Sequence, residues 1–120
     1  MSVSLAPTRI KLLTAAITAA TQGISAPVNV EGRDELVFYF KSTNTTSSGT
    51  FKIEEADYDA ADGVYSGTWS QIGADVLASA FTGGAQLAVH VSPNCYTWVR
   101  VRQTVNVGGG GSVDVVLKMQ

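Results

Sequence analysis

The sequence predicts an all-β fold, an antiparallel β-sandwich or jelly-roll-like barrel with an N-terminal arm or short helix. Three observations predict it. Beyond residue 27 most apolar runs alternate with polar residues, the period of half-buried strands. Clusters of Gly, Pro, Asn, Asp and Ser separate these runs at short intervals, as turns do between strands. Little in that region would start a long helix. A chain of 120 residues also has room for one hydrophobic core, so we divide it into an arm or helix over 1–25 and a sandwich over 26–120.

The N-terminal segment offers two conformations. Ile10, Leu13, Ile17 and Ala20 lie at helical spacing, which would lay one apolar stripe against a sheet. Four threonines from Thr8 to Thr21, and no acidic residue before Glu31, weaken the helix and favour an extended arm along the surface. Leu12 to Ala20, preceded by Arg9 and Lys11, has the outline of a secretory h-region. Its alanines and threonines make it weakly apolar, and it is shorter than the roughly 20 residues of a membrane span.

The strands follow in order. Val28 to Val30 alternates and runs into a turn at Glu31 to Asp34. Leu36 to Phe40 is continuously apolar, the mark of a strand covered on both faces and the centre of the core. Lys41 to Gly49 reads as a hairpin loop, returning through Thr50 to Glu54 with Phe51 and Ile53 on one face and Lys52 and Glu54 on the other. Ala56 to Gly67 has loop composition. Thr68 to Ile72 is a short strand whose Trp69 covers one edge of the core, and Ala74 to Ala80 is a short helix or an irregular connection. Gln86 to Val91 alternates again. Tyr96 to Val107 is the clearest strand, with Val99, Val101, Val105 and Val107 on one side and Trp98, Arg100, Arg102 and Thr104 on the other. A glycine-rich hairpin loop, Gly108 to Ser112, leads into a final strand with Val113, Val115, Leu117 and Met119 inward and Asp114 and Lys118 outward.

Composition narrows the function. Charged residues are 15% of the chain, against about 25% in an average soluble domain. A net charge of -2 argues against a nucleic-acid footprint of the usual basic kind. One cysteine, Cys95, cannot form an internal disulfide and fits manufacture in a reducing host cytoplasm. Asp57, Asp59 and Asp62 before Gly63 cluster hard oxygen ligands, but Thr68 stands where a calcium loop would place its closing glutamate; a solvated acidic turn is the simpler account. His90 and Cys95 lack the orienting acid or amide of a nucleophilic pair. The glycine run lacks the lysine and following helix of a phosphate-binding loop. No catalytic, metal or cofactor site is therefore assigned, and enzymatic activity is not expected.

The remaining candidates are contact residues. Arg100 and Arg102 beside Trp98 could grip a nucleic-acid strand, but ion pairs or hydrogen bonds to a neighbouring subunit suit an acidic chain better. Tyr65 and Trp69, like Tyr58 and Tyr96, either close the core or anchor an interface. Leu12, Leu13 and Ile17 complete the set if the arm reaches a neighbour.

The order of features resembles small β-sandwich structural proteins of tailed bacteriophages, especially capsid decoration or cement proteins. The resemblance covers nearly the whole chain: the Leu/Ala/Thr segment Leu12 to Gln22, Val28 to Phe38, Gly49 to Ala56, Gly67 to Ile72, Tyr96 to Arg102, and a Gly-rich turn into the last valine-rich strand. It implies a non-enzymatic virion component, a dimer or trimer that bridges neighbouring major capsid protein subunits, with neither nucleic acid nor membrane as partner. A tail or head-completion ring component is the alternative within that class. A carbohydrate-binding sandwich is the alternative outside it, with Tyr65, Trp69 and Trp98 stacking on sugars and Asp57 and Asp59 binding calcium.

Overall fold

The computed structural model describes residues 8–18, 23–56, 68–92 and 97–120. Among them the chain forms eight strands: β1 (Thr8–Ala16), β2 (Val28–Asn29), β3 (Leu36–Thr43), β4 (Ser48–Ala56), β5 (Ser70–Leu77), β6 (Gln86–Val91), β7 (Trp98–Gly108) and β8 (Ser112–Met119), with a 3-10 turn at Ala78–Phe81. Two four-stranded antiparallel sheets, ordered β1-β8-β3-β6 and β2-β7-β4-β5, pack as a sandwich. The expected all-β antiparallel sandwich is what the chain adopts.

β3 and β8 are central in the first sheet, and β7 and β4 in the second. Central strands need apolar residues inward, and these four supply most of the largest fully buried side chains, among them Phe38 and Phe40, Leu117, Val99 and Val101, Phe51 and Ile53. Phe40 sits between the layers, its ring centroid 5.8 Å from Phe51 and 6.0 Å from Phe81. Each such ring pair contributes about 0.5–1.5 kcal/mol beyond burial, so the three phenylalanines tie both sheets to the 3-10 turn.

Several expectations are corrected. β3 and β4 are not a hairpin: β3 pairs with β6 and β8, whereas β4 pairs with β5 and β7. The glycine-rich loop between β7 and β8 likewise crosses between sheets. Turn composition marks where the chain reverses but not whether the next strand joins the same sheet. Residues 8–16, expected as a surface arm or a helix, are the edge strand β1, paired along β8 from Thr8 opposite Met119 to Ala16 opposite Val113. β1 therefore belongs to the sandwich although it precedes residue 26. The short strand expected at Thr68 to Ile72 runs instead from Ser70 to Leu77, and only Ala78–Phe81 is helical, as 3-10.

Val105 also departs from the expected alternation. Thr50 lies opposite Val105 and Phe51 opposite Gln103, so Thr104 is an extra residue in β7. A bulge of this kind reverses which side chains face inward. Gln103 keeps step with Val99 and Val101 and faces inward at 3% exposed, while beyond the bulge Val105 is turned out to 47% exposed, and the Gln103 amide Nε2 donates to the backbone oxygens of Ile17 (2.8 Å) and Val105 (3.2 Å).

The crossings β3–β4, β5–β6 and β7–β8 meet at one end of the sandwich. Chain leaving a ladder must find new partners for its backbone groups, and Ser and Thr supply them locally. Buried Ser42 donates its hydroxyl to the Phe81 oxygen and buried Thr46 donates to the Ala78 oxygen (2.7 Å). Ser47 N donates to Gly108 O and Gly83 N to Asn44 O. Part of the Ser/Thr content is thus structural.

Candidate functional site

Three surfaces stand out. The first is the end just described. Residues 43–48, 78–85 and 108–112 contain no Asp, Glu, Lys, Arg or His, so the low charge of the chain is concentrated where these crossings meet. It continues onto the outer face of the second sheet, where Val105, Thr50 and Leu77 form one row across three strands. Val105 is 47% and Leu77 50% exposed, with Ile17, 45% exposed, tied beside Val105 through Gln103. Ile24, also exposed, bridges to Arg102.

The second surface is the rest of that outer face. Glu54 is only 5% exposed, and its carboxylate accepts from Arg100 Nε at 2.9 Å and from Arg102 Nε at 3.2 Å. Register explains the convergence: Glu54 lies directly opposite Arg100 on β7, and Arg102 is the next outward residue. The Arg100 guanidinium also stacks over Trp69, 4.2 Å from the ring centroid, a cation–π contact. On the neighbouring strands Lys52 donates to Asp75 at 2.7 Å and to Gln71 at 3.1 Å. The hydrogen bond from Lys52, followed by that from Gln71, lowers the Asp75 pKa below its ordinary value.

The third surface is the outer face of the first sheet. Antiparallel register sets Arg9 beside Lys118, then Val37 and His90, in one row. Lys11, Val116, Tyr39 and Ala88 form the next, and Asp114, Lys41 and Gln86 the third. The result is a shallow depression of about 800 Å³. Half of the chain's eight cationic side chains line it with one carboxylate, giving +3 on a chain whose total is -2, so the rest of the sequence carries -5. Asp114 is fixed by a β-bulge in β1: Ala15 adopts a left-handed φ of 48° and donates its N–H to Asp114 Oδ1 at 2.6 Å. Asp114 Oδ2 lies 3.9 Å from Lys11 Nζ. At the rim, exposed His90 Nδ1 lies 3.2 Å from Glu35 Oε1.

The sequence-predicted contact residues are dispersed. Leu13, 6% exposed, belongs to the core and Leu12 packs half-buried against it, so these two support the fold and Leu13 offers nothing to a partner. Ile17 is on the surface. Arg100 and Arg102, expected to pair across an interface, find their carboxylate within the chain. Trp98 is half-buried at the start of β7 opposite Asn29 and Ala56. Tyr65, with Tyr58, Tyr96, Cys95 and the Asp57, Asp59 and Asp62 cluster, lies outside the described residues. Among the described residues no three His, Cys, Asp or Glu side chains come together as a metal site, and no helix is long and apolar enough to cross a membrane. The basic depression was missed because Arg9 and Lys118 stand at opposite ends of the sequence; outward positions on alternating strands were the available signal, and only register unites them.

No protein-family model matches the chain, and no curated protein matches it in sequence. Among solved structures, the crystal structure of the SPBc2 prophage-derived protein YomS is similar, with a TM-score of 0.58 at 13% identity, over 99% of this chain and 97% of that one. At that identity the likeness is one of fold.

Proposed function

We propose that the chain is a non-enzymatic structural protein of a bacteriophage particle, a capsid decoration subunit that binds and stabilises the major capsid shell. The observation that carries this reading is the end-to-end match with a prophage-derived protein, 99% and 97% of the two chains. The resemblance of the sequence to phage decoration proteins points the same way.

The uncharged end supplies an attachment surface. Ser, Thr, Gly and Ala can be covered by another protein without stripping water from a charge, and the Ile17, Val105 and Leu77 side chains add apolar area beside them. Cores of protein interfaces are depleted in charge in this way. Oligomerisation as a dimer or trimer follows from the same reading.

The test is to purify particles from the phage or induced prophage that encodes the chain and count its copies by quantitative mass spectrometry. Hundreds of copies support a shell component and tens point to a ring in the head or tail. Absence from purified particles overturns the virion reading. Removing residues 1–25 is not a clean test of attachment, since it would strip β1 from β8 and take Leu13 and Ala16 out of the core. Val105→Asp with Leu77→Asp, both at exposed positions, should abolish binding to heads lacking the protein while the domain stays folded.

A further inference from the structure

We propose that the basic depression on the outer face of β1, β8 and β3 binds an acidic carbohydrate, a sugar chain whose rings bear carboxylates. The inference does not rest on the virion reading and uses the outer face of the first sheet, which borders the proposed attachment end at Lys41, Gln86 and Asp114.

Four features of the depression select the ligand. First, Arg9, Lys11, Lys41 and Lys118 bring a local charge that the rest of the chain opposes. A depression whose lining is net positive concentrates oppositely charged ligands, so the ligand is anionic. Second, these cations surround a floor made by Tyr39 and Val116, which are neighbours across the β3–β8 ladder. An aromatic ring beside an aliphatic side chain offers an apolar surface to the C–H face of a sugar. Third, Asp114 and Gln86 add hydrogen-bonding groups at the border, and Ala15 N–H holds the Asp114 carboxylate in position to accept from hydroxyls. A ligand with anionic groups alone would find Asp114 repulsive, whereas a hydroxylated one uses it. Fourth, the volume of about 800 Å³ falls within the roughly 300–1,000 Å³ of small-ligand sites.

Size separates this reading from docking of an acidic protein. Strands about 4.8 Å apart and alternate residues about 6.8 Å apart make the three rows over four strands a face of roughly 400 Å². That is about half of the roughly 800 Å² each partner buries in a stable protein complex. A nucleic-acid strand would meet one aromatic side chain instead of a series of stacking platforms, with Asp114 against its phosphates.

Isothermal titration of the full chain with trigalacturonic acid provides the test, with maltotriose, triglutamate and oligo-dT as comparison ligands. Trigalacturonic acid is expected to bind, maltotriose not detectably, and triglutamate and oligo-dT at least tenfold more weakly. Tyr39→Leu, which keeps an apolar side chain but removes the ring, should weaken trigalacturonate at least tenfold and leave triglutamate unchanged. Lys41→Gln and Lys118→Gln, both at exposed positions, should each weaken it severalfold and keep the proposal testable if Tyr39→Leu fails to fold. The proposal is overturned by failure of trigalacturonate to bind, by triglutamate or oligo-dT binding as tightly, or by binding that ignores all three substitutions. Copy number in particles is a separate measurement, so either proposal can fail alone.

Discussion

Replacing Glu54 by Gln tests how the second sheet is held together. Glu54 is 5% exposed and accepts one bond from each of two arginine Nε groups. Breaking a fully buried ion pair by removing one partner costs about 3–5 kcal/mol, because the surviving charge is left uncompensated. Here the survivors are 19% (Arg100) and 40% (Arg102) exposed, so water recovers part of their solvation and the cost falls to about 2–3 kcal/mol. Gln keeps one acceptor, but its amide N–H₂ faces the other arginine donor to donor. At this chain length the loss corresponds to a fall in Tm of about 10 °C. Urea unfolding followed by tryptophan fluorescence measures it, and a double-mutant cycle divides it. The coupling of Glu54 to Arg100 should exceed that to Arg102, since Arg100 is the more buried and also stacks on Trp69. A Glu54→Gln change within about 0.5 kcal/mol, the range of ordinary surface substitutions, or a larger coupling to Arg102, would refute the reasoning.

Gly111→Ala should destabilise by about 1–3 kcal/mol, because a methyl there would overlap the carbonyl oxygens of Thr43 and Thr45 across the β3–β4 crossing; equilibrium unfolding by urea checks it. Ala15→Gly should leave stability unchanged or raise it by up to about 1 kcal/mol, since Ala15 holds a left-handed φ that costs a side-chain-bearing residue about that much. A clear loss in thermal melting would mean the β1 bulge is not strained. The Asp75 carboxyl has its pKa lowered on folding by the Lys52 hydrogen bond, so its contribution is complete above the unfolded value near 3.9 and is lost as pH falls through the lower folded value. Asp75→Asn should therefore flatten the stability profile below about pH 4, read by urea titrations across pH. An unchanged acid limb would remove Asp75 from that account.

Much of the strand inventory is legible in the residues. β3 shows as an unbroken apolar run, and β8 as inward Val113, Val115, Leu117 and Met119 alternating with Asp114 and Lys118. What failed did so for identifiable reasons. Ser/Thr/Asn and Gly runs signal a reversal, and an arch between sheets needs the same conformational freedom as a hairpin within one. A bulge adds one residue with no compositional mark at Thr104, yet it sends Val105 out, while Gln103 stays in step with Val99 and Val101 and is buried. β1 is ambiguous as a sequence because its alanines favour a helix and its threonines a strand, and pairing with β8 decides for the strand.

The candidate surfaces were less legible still. Arg100 and Arg102 could be recognised as outward-facing, but whether their counter-charge lay in this chain or another depended on Glu54 being placed opposite them. The basic depression needs β1, β8 and β3 side by side, an order that local sequence does not encode because strand pairing joins residues as far apart as Arg9 and Lys118. By itself the sequence determined the fold class and the scarcity of charge, since alternation and composition are local properties of the chain. Only the tertiary structure decided where that scarcity lies and where the charge gathers. Strand pairing between distant segments distributed both, leaving one end without charge and one sheet face basic.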